Sequence, residues 1–408
     1  MEKRNVNKNL VAALLVVIAV LGYGLIGKAG SMEPNDPPAP TMKTLQEIYD
    51  AVEATQNVII DEVEPRIPIG QADIPKTIDT SGSYYLAGDV TAAGTAITVD
   101  ANDVTIDLAG FALVGPGSGT NYGIYMDGLS NVEIRNGTVR DFSYGIYEAD
   151  VSGKNHHVID VRSVSNSQHG IYLVGKGHLV KGCTAYNNGY STGNAYGIFA
   201  DTGSTVTDNT SYYNGNSATG NVYGIYANSG STVTGNTAYN NGYSATGTNV
   251  YGIRANSGCT VKGNTAYNNG YSTNGTYVYG IKAEEGCTVT DNTAHYNGIS
   301  ASSTVYGIYA YFGSTVTGNT AHKNGNMATG TNVYGIFADA GCTVTGNTAR
   351  DNGDSAASAN AYGIFLGGNN LVDQNTAYSN GTGAASRTNM NNPGNCTFGT
   401  NHAPVPAP

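Results

Sequence analysis

Two cations in consecutive periods of a repeat are the clearest chemical signal in this 408-residue chain. Arg254 follows Tyr251-Gly252-Ile253 and Lys282 follows Tyr279-Gly280-Ile281. In the flanking periods the same position is aromatic: Phe199, Tyr226, Tyr309 and Phe337. Two residues beyond the cations stand Asn256 and Glu284. A cation pair beside a carboxylate is what chemistry on a uronate sugar needs, with the cations neutralising the substrate carboxylate and a base taking the C5 proton. Arg254, Lys282 and Glu284 are therefore the candidate catalytic residues. The plainer reading is a solvated ion-pair cluster whose long stems cover the neighbouring rings. Ligand contact without catalysis is preferred over turnover. The candidate ligand-binding set is Phe199, Tyr226, Arg254, Asn256, Lys282, Glu284, Tyr309 and Phe337.

Other chemistry-bearing residues carry less. His156, His157, His169 and His178 crowd one charge-rich stretch but share no fixed ligand spacing, so neither a metal nor a cofactor is expected. Five cysteines are few for a disulfide scaffold, and the odd count leaves at least one unpaired within the chain. Cys259, Cys287 and Cys342 interchange with Ser204, Ser231 and Ser314 at one repeat position, which asks for a small side chain. Packing is the preferred reading there. A Cys259–Cys287 disulfide is geometrically open if successive periods are neighbours. The net charge of −11 and pI near 5.0 argue against a nucleic-acid partner, since phosphate binding needs a basic face.

The elements that must position these residues are short and repeated. Tyr-Gly-Ile begins at Tyr122, Tyr144, Tyr196, Tyr223, Tyr251, Tyr279, Tyr306, Tyr334 and Tyr362, with His169-Gly-Ile filling the one gap, at intervals of 22–28 residues. A second signature follows, as in STVTGNTAYNNG from Ser231 and CTVTDNTAHYNG from Cys287. Both segments alternate like strands, and nothing in the unit is long enough for a helix. All 12 prolines fall at or before Pro116 or at or after Pro393, so the middle of the chain can support an uninterrupted hydrogen-bonded ladder. A unit of this size cannot bury its apolar side alone, but it can by stacking on copies of itself. The fold class expected is all-β, a right-handed parallel β-helix of about eleven coils over residues 65–400. At about 4.8 Å per coil the rod is roughly 50 Å long.

Stacking turns each repeat position into a column. Ile124, Ile146, Ile171, Ile198, Ile225, Ile253, Ile281, Ile308, Ile336 and Ile364 form an inward row, as does the series from Val206 to Val344. The series from Asn209 to Asn375 marks a bend where stacked amides can bond to one another. Outside, Gly123, Gly145, Gly170 and their successors predict a bare trough beside the aromatic row, a shape for a flat polymer. Asp107, Arg135, Asp160 and Lys181 predict an external ladder of alternating charge. The polar loop after each Asn-Gly, such as YSATGTN, predicts a ribbed wall.

Ahead of the repeat, Lys3, Arg4 and Lys8 precede the apolar residues 10–27, the layout of an export signal or an uncleaved membrane anchor. Residues 1–30 are assigned to it, 31–40 to a proline-rich linker, 41–57 to an amphipathic helix that caps the solenoid, and 401–408 to a proline-rich tail. Localisation is accordingly secreted, periplasmic or cell-surface.

On the repeated GIYA…TVTGNTAYNNG unit the chain resembles the pectin-lyase-like superfamily of right-handed β-helices, in particular members with short repeats of the periplasmic copper-binding type. The resemblance implies the fold, while a polysaccharide or surface glycan as partner is read from the glycine and aromatic rows. The resemblance does not carry activity across. The aspartate cluster of pectate lyases, the NTD, DD and GHG motifs of polygalacturonases and the DPH motif of alginate epimerases are not found in this sequence. The metal-related residues of the copper-associated members match no positions here. The leading expectation is a surface rod, structural or carbohydrate-binding, using the aromatic/glycine face. The alternatives are a lyase or epimerase on a uronate-containing polymer through Arg254, Lys282 and Glu284, and a periplasmic maturation factor. The oligomeric state stays open.

Overall fold

A computed structural model describes residues 46–47, 49–51, 65–190, 193–247, 249–356, 360–384 and 386–404. The chain divides into two units, Met1–Pro65 and Arg66–Pro408. The export or anchor segment, the linker and most of the expected helix lie outside the described residues. Within the first unit, residues 46–47 and 49–51 are helical, and Gln46 Nε2 donates to Asp50 Oδ1 at 2.7 Å. Among the described residues no helix is long and apolar enough to cross a membrane.

The second unit is a right-handed parallel β-solenoid of about eleven turns. Thirteen strands containing or aligned with Tyr-Gly-Ile make one sheet, and 24 strands, most of them three residues long, make the other two sides. In a typical coil Asn249–Ala255 is followed by Thr260–Lys262 and Thr265–Tyr267. The register is the one the periods dictate: Ile253 pairs with Ile225 below and Ile281 above, and Val261 with Val233 and Val289. Every isoleucine of the row is fully buried.

Two bends per coil are held by asparagine. Asn264 is representative: its Nδ2 donates to Asn292 Oδ1 at 3.0 Å and to Val233 O at 2.8 Å, and its backbone N–H donates to the same Asn292 Oδ1 at 2.9 Å. The ladder runs from Asn209 to Asn401. A second ladder runs from Asn166 through Asn241 and Asn352 to Asn389. Its members had been legible only as the start of the loops. The residue before each rung is commonly in the left-handed region, at φ +66° for Gly235 and +57° for Asp291, which explains the Gly/Asp interchange there. A third internal column accepts the backbone N–H of the coil below: His156 Nδ1 from Val132, His178 Nδ1 from His156, Ser204 Oγ from His178, Ser231 Oγ from Ser204 and Cys259 Sγ from Ser231. Cys259 and Cys287 are free thiols in this column, donating to Asn228 O and Asn256 O. The small-residue requirement is thus a hydrogen-bonding requirement as well.

One expectation fails here. The charge ladder stops after one step: Asp107 pairs with Arg66 at 2.7 Å and Arg135 at 3.5 Å, but Ile159 and not Asp160 is the partner of both Arg135 and Lys181. Val158 is the inward residue of that coil, and Asp160 sits at the bend with φ +54°. A shift of one residue exchanges the faces of a strand, and it does so here. The loops do stack on one another, as in Ser272 N–H donating to Tyr243 O and Met327 N–H to Ile299 O, but they are not wholly polar. Ala218, Ala245, Ala301, Ala328 and Ala356 are buried against Val222, Val250, Val278, Val305 and Val333, so each loop is seated on a small satellite core.

Candidate functional site

The glycines of Tyr-Gly-Ile do not form a trough. Gly252 is buried, and a Cβ placed on it would lie 2.6 Å from Asn269 Nδ2 and 2.6 Å from Gly280 O. Glycine faces inward because the asparagine ladder and the next coil leave no room for a side chain. Tyr251 and Arg254, three residues apart, both stay outside the buried pair Gly252 and Ile253. The outward face is therefore two adjacent columns of rings. One is Tyr196, Tyr223, Tyr251, Tyr279, Tyr306, Tyr334 and Tyr362, whose rings are nearly parallel and stacked with centroids 4.7–5.1 Å apart on successive coils. The other holds Phe199, Tyr226, Arg254, Lys282, Tyr309 and Phe337 on six successive rungs. All eight ligand-binding candidates are on or beside this second column.

Arg254 and Lys282 are set into this wall. The Arg254 guanidinium carbon is 5.0 Å from the Tyr226 ring centroid, 5.3 Å from Tyr251 and 5.9 Å from Tyr223. Lys282 Nζ is 5.3 Å from Tyr279, 5.5 Å from Tyr309 and 5.9 Å from Tyr251. Both cations are within cation–π range of three rings each. Glu284 ties them together: its Oε1 is 3.2 Å from Arg254 Nη2 and 2.8 Å from Lys282 Nζ. Asn256 donates to Tyr226 Oη at 2.9 Å and Asn228 Oδ1 at 2.7 Å, and Asn228 donates to Asp201 Oδ1 at 2.5 Å. Arg254 Nε and Asn256 Oδ1 are buried with no protein hydrogen-bond partner.

The electrostatics decide what this group can do. Two cations and one carboxylate leave a local surplus of one positive charge. Burial against neighbouring phenols pushes Tyr251 up to about 12, and burial likewise raises Tyr226, Tyr279, Tyr306 and Tyr309. Burial would lower Arg254, but the hydroxyls of Tyr226, Tyr223 and Tyr251 and the Glu284 carboxylate together raise it instead. The phenols are thus protonated at neutral pH. They offer O–H donors rather than a phenolate base, while the ring faces of the Tyr251 column are covered by one another.

The histidines are elsewhere and otherwise occupied. His156 Nε2 is 2.9 Å from Glu148 Oε2, with both side chains fully buried. Burial would raise Glu148, but His156 and the amides of Asp150 and Gly128 hold it below the usual carboxylate range. Burial lowers His178 and His169 to about 4 each. Among the described residues no group of three or more His, Cys, Asp or Glu is placed to hold a metal ion. A second outward stack, Tyr212, Tyr239, Tyr267, His295 and His322, is on another side of the solenoid with centroids 4.8–5.1 Å apart.

Comparison with known proteins agrees with the fold. A family model described as "Right handed beta helix region" matches residues 122–283. The A-module of the Azotobacter vinelandii mannuronan C-5 epimerase AlgE6 superposes with a TM-score of 0.55 at 16% identity, over 80% of this chain and 92% of that one. The AlgE4 A-module from the same organism superposes with a TM-score of 0.44 at 15% identity, over 83% and 88%. No curated protein matches the chain in sequence.

Proposed function

We propose that this right-handed β-helix is an exported rod whose Tyr-Gly-Ile face binds a carboxylate-bearing polysaccharide without turning it over. One observation carries the reading: a shared-carboxylate pair of cations, Arg254 and Lys282, is embedded in an otherwise continuous aromatic wall. The edges and hydroxyls of the stacked rings meet the sugars, and the surplus positive charge accepts a sugar carboxylate. The same fold serves a mannuronan C-5 epimerase, so a uronate polymer suits a sheet of this kind. Turnover is disfavoured by the site's own groups. Glu284 already spends one oxygen on both cations, and the surrounding phenols hold their protons. Export rests on Lys3, Arg4, Lys8 and the apolar residues 10–27.

The test is a titration of the full chain with oligouronates, paired with an ultraviolet assay for unsaturated product. Wild type binds, and Arg254→Ala/Lys282→Ala weakens binding by about tenfold or more, the expected scale for removing a charged anchor. Neither unsaturated product nor C5-epimerised sugar, followed by proton NMR, accumulates with either protein. Equal binding by the double variant, or product formed by wild type alone, overturns the proposal.

A further inference from the structure

One stretch of the loop ledge departs from the pattern, and it is beside the cations. The period from Tyr279 to Tyr306 is one residue shorter than its neighbours on the Tyr251 and Tyr334 sides. In the preceding coil Thr273 takes the seat held by alanine in the flanking loops, buried, with its hydroxyl donating to Ala245 O at 2.8 Å. Over the shortened loop, flanked by the Thr273 loop on one side and the Thr329 loop on the other, the surface opens into a recess of about 480 Å³. Its lining includes Tyr277, Ser302, Ser303, Thr304, Thr329 and Thr331.

We propose that this recess is a second saccharide subsite, taking an uncharged pyranose. The inference rests on the polysaccharide reading of the adjacent face. Tyr277 belongs to the same strand as Lys282, Tyr277–Ala283, so the recess and the cation pair share one continuous surface. The Tyr277 ring is 38% exposed, and its centroid is 5.9 Å from Tyr279 and 6.3 Å from Tyr306. It extends the aromatic wall to the rim of the recess. Beyond the ring the lining side chains are hydroxyls, with no acid and no base. Thr304 and Thr331 hydroxyls bond each other at 3.0 Å. Ser303, only 4% exposed, keeps a hydroxyl without any protein partner. Buried polar atoms are normally satisfied, so an unmet one in a concave hydroxyl-lined recess is a place for a ligand hydroxyl. The volume is within the roughly 300–1,000 Å³ of small-ligand sites. A ring to stack on, hydroxyl partners and no charge select a neutral sugar over an acidic one.

Calorimetric titration of the full chain with cellohexaose, maltohexaose and mannohexaose tests this, with an oligouronate alongside. At least one neutral hexaose binds wild type. Tyr277→Ala weakens that binding about tenfold, the scale of losing an aromatic anchor. Tyr277→Phe retains it. If none of the three neutral sugars binds, or if Tyr277→Ala binds as wild type does, the subsite is refuted. Oligouronate binding that survives Arg254→Ala/Lys282→Ala refutes the acidic-polymer reading alone, because the Tyr277 series is read on uncharged ligands.

Discussion

Between Ile69 and Leu173 the interior is filled by large apolar side chains, among them Leu86, Ile106, Leu108, Leu113, Met126, Ile134 and Phe142. From Ala195 onward the same volume is lined by Ile, Val and Ala, with asparagine at both bends and Ser or Cys at a third corner. The early coils vary in length, and side chains of different size fill what the backbone leaves. The late coils keep an almost constant period of 27 or 28 residues, so identical amides superimpose and satisfy one another. A buried amide without partners costs about 1–3 kcal/mol per unmet group, so such a ladder pays off only if no rung is missing. Constant length is thus the condition that lets polar atoms replace hydrocarbon in the interior. The early coils lack that constancy and rely on apolar volume.

Substitutions should separate the two regimes. The largest effect is expected in the early coils: Phe142→Ala removes a fully buried ring and should cost about 3–5 kcal/mol in a denaturant titration of the full chain. A loss under about 1 kcal/mol would show that those coils do not depend on large-side-chain packing. In the late coils Asn264→Ala leaves the Asn236 N–H and Nδ2 and the Val233 carbonyl short of partners. It should cost about 2–3 kcal/mol although it removes almost no apolar area. A neutral result would mean that the ladder decorates the interior rather than supporting it.

The smallest effect is a pH response, which the early coils share with His295 and His322 of the later ones, also lowered by burial. His169 and His178 protonate near 6.5 when unfolded but only at about 4 in the fold, because burial disfavours their charged form. The unfolded chain therefore binds more protons between those values. Stability should fall as pH drops from 6.5 towards 4, because the unfolded chain takes up these protons first. His178→Ser places in that corner the residue used by the next coils, and should flatten the pH dependence of the midpoint. An unchanged slope would assign the acid response to other groups.

Much of this was legible in the sequence, for a specific reason. Repetition at near-constant spacing fixes register, so the isoleucine and valine columns and the Asn209 series follow once coils are stacked. Arg254, Lys282 and Glu284 meet for the same reason. What escaped were departures from simple alternation. Gly252 and Ile253 both face inward, so rings three residues apart share the outer face, and a trough was expected where a second ring column stands. Asp160 was misplaced because His-His-Val-Ile-Asp offers two apolar residues in succession, and the inward one is Val158. The second asparagine ladder had its signal in the invariant Asn-Gly, which also reads as a loop start. The Tyr277 recess depends on a single missing residue, visible as one shortened interval but without meaning until the loops have a ledge to leave.

The repeated inter-coil contact has one more consequence. Each of the late coils presents above what it receives below, so a duplicated or deleted coil would meet its new neighbours through bonds already in use. Energies in such arrays are nearly sums of units and nearest-neighbour contacts. The span of the molecule can therefore be lengthened or shortened by whole steps of about 4.8 Å without a new interface. Reach becomes a quantity set by copy number, while the segment bearing the cations and the recess rides along unchanged.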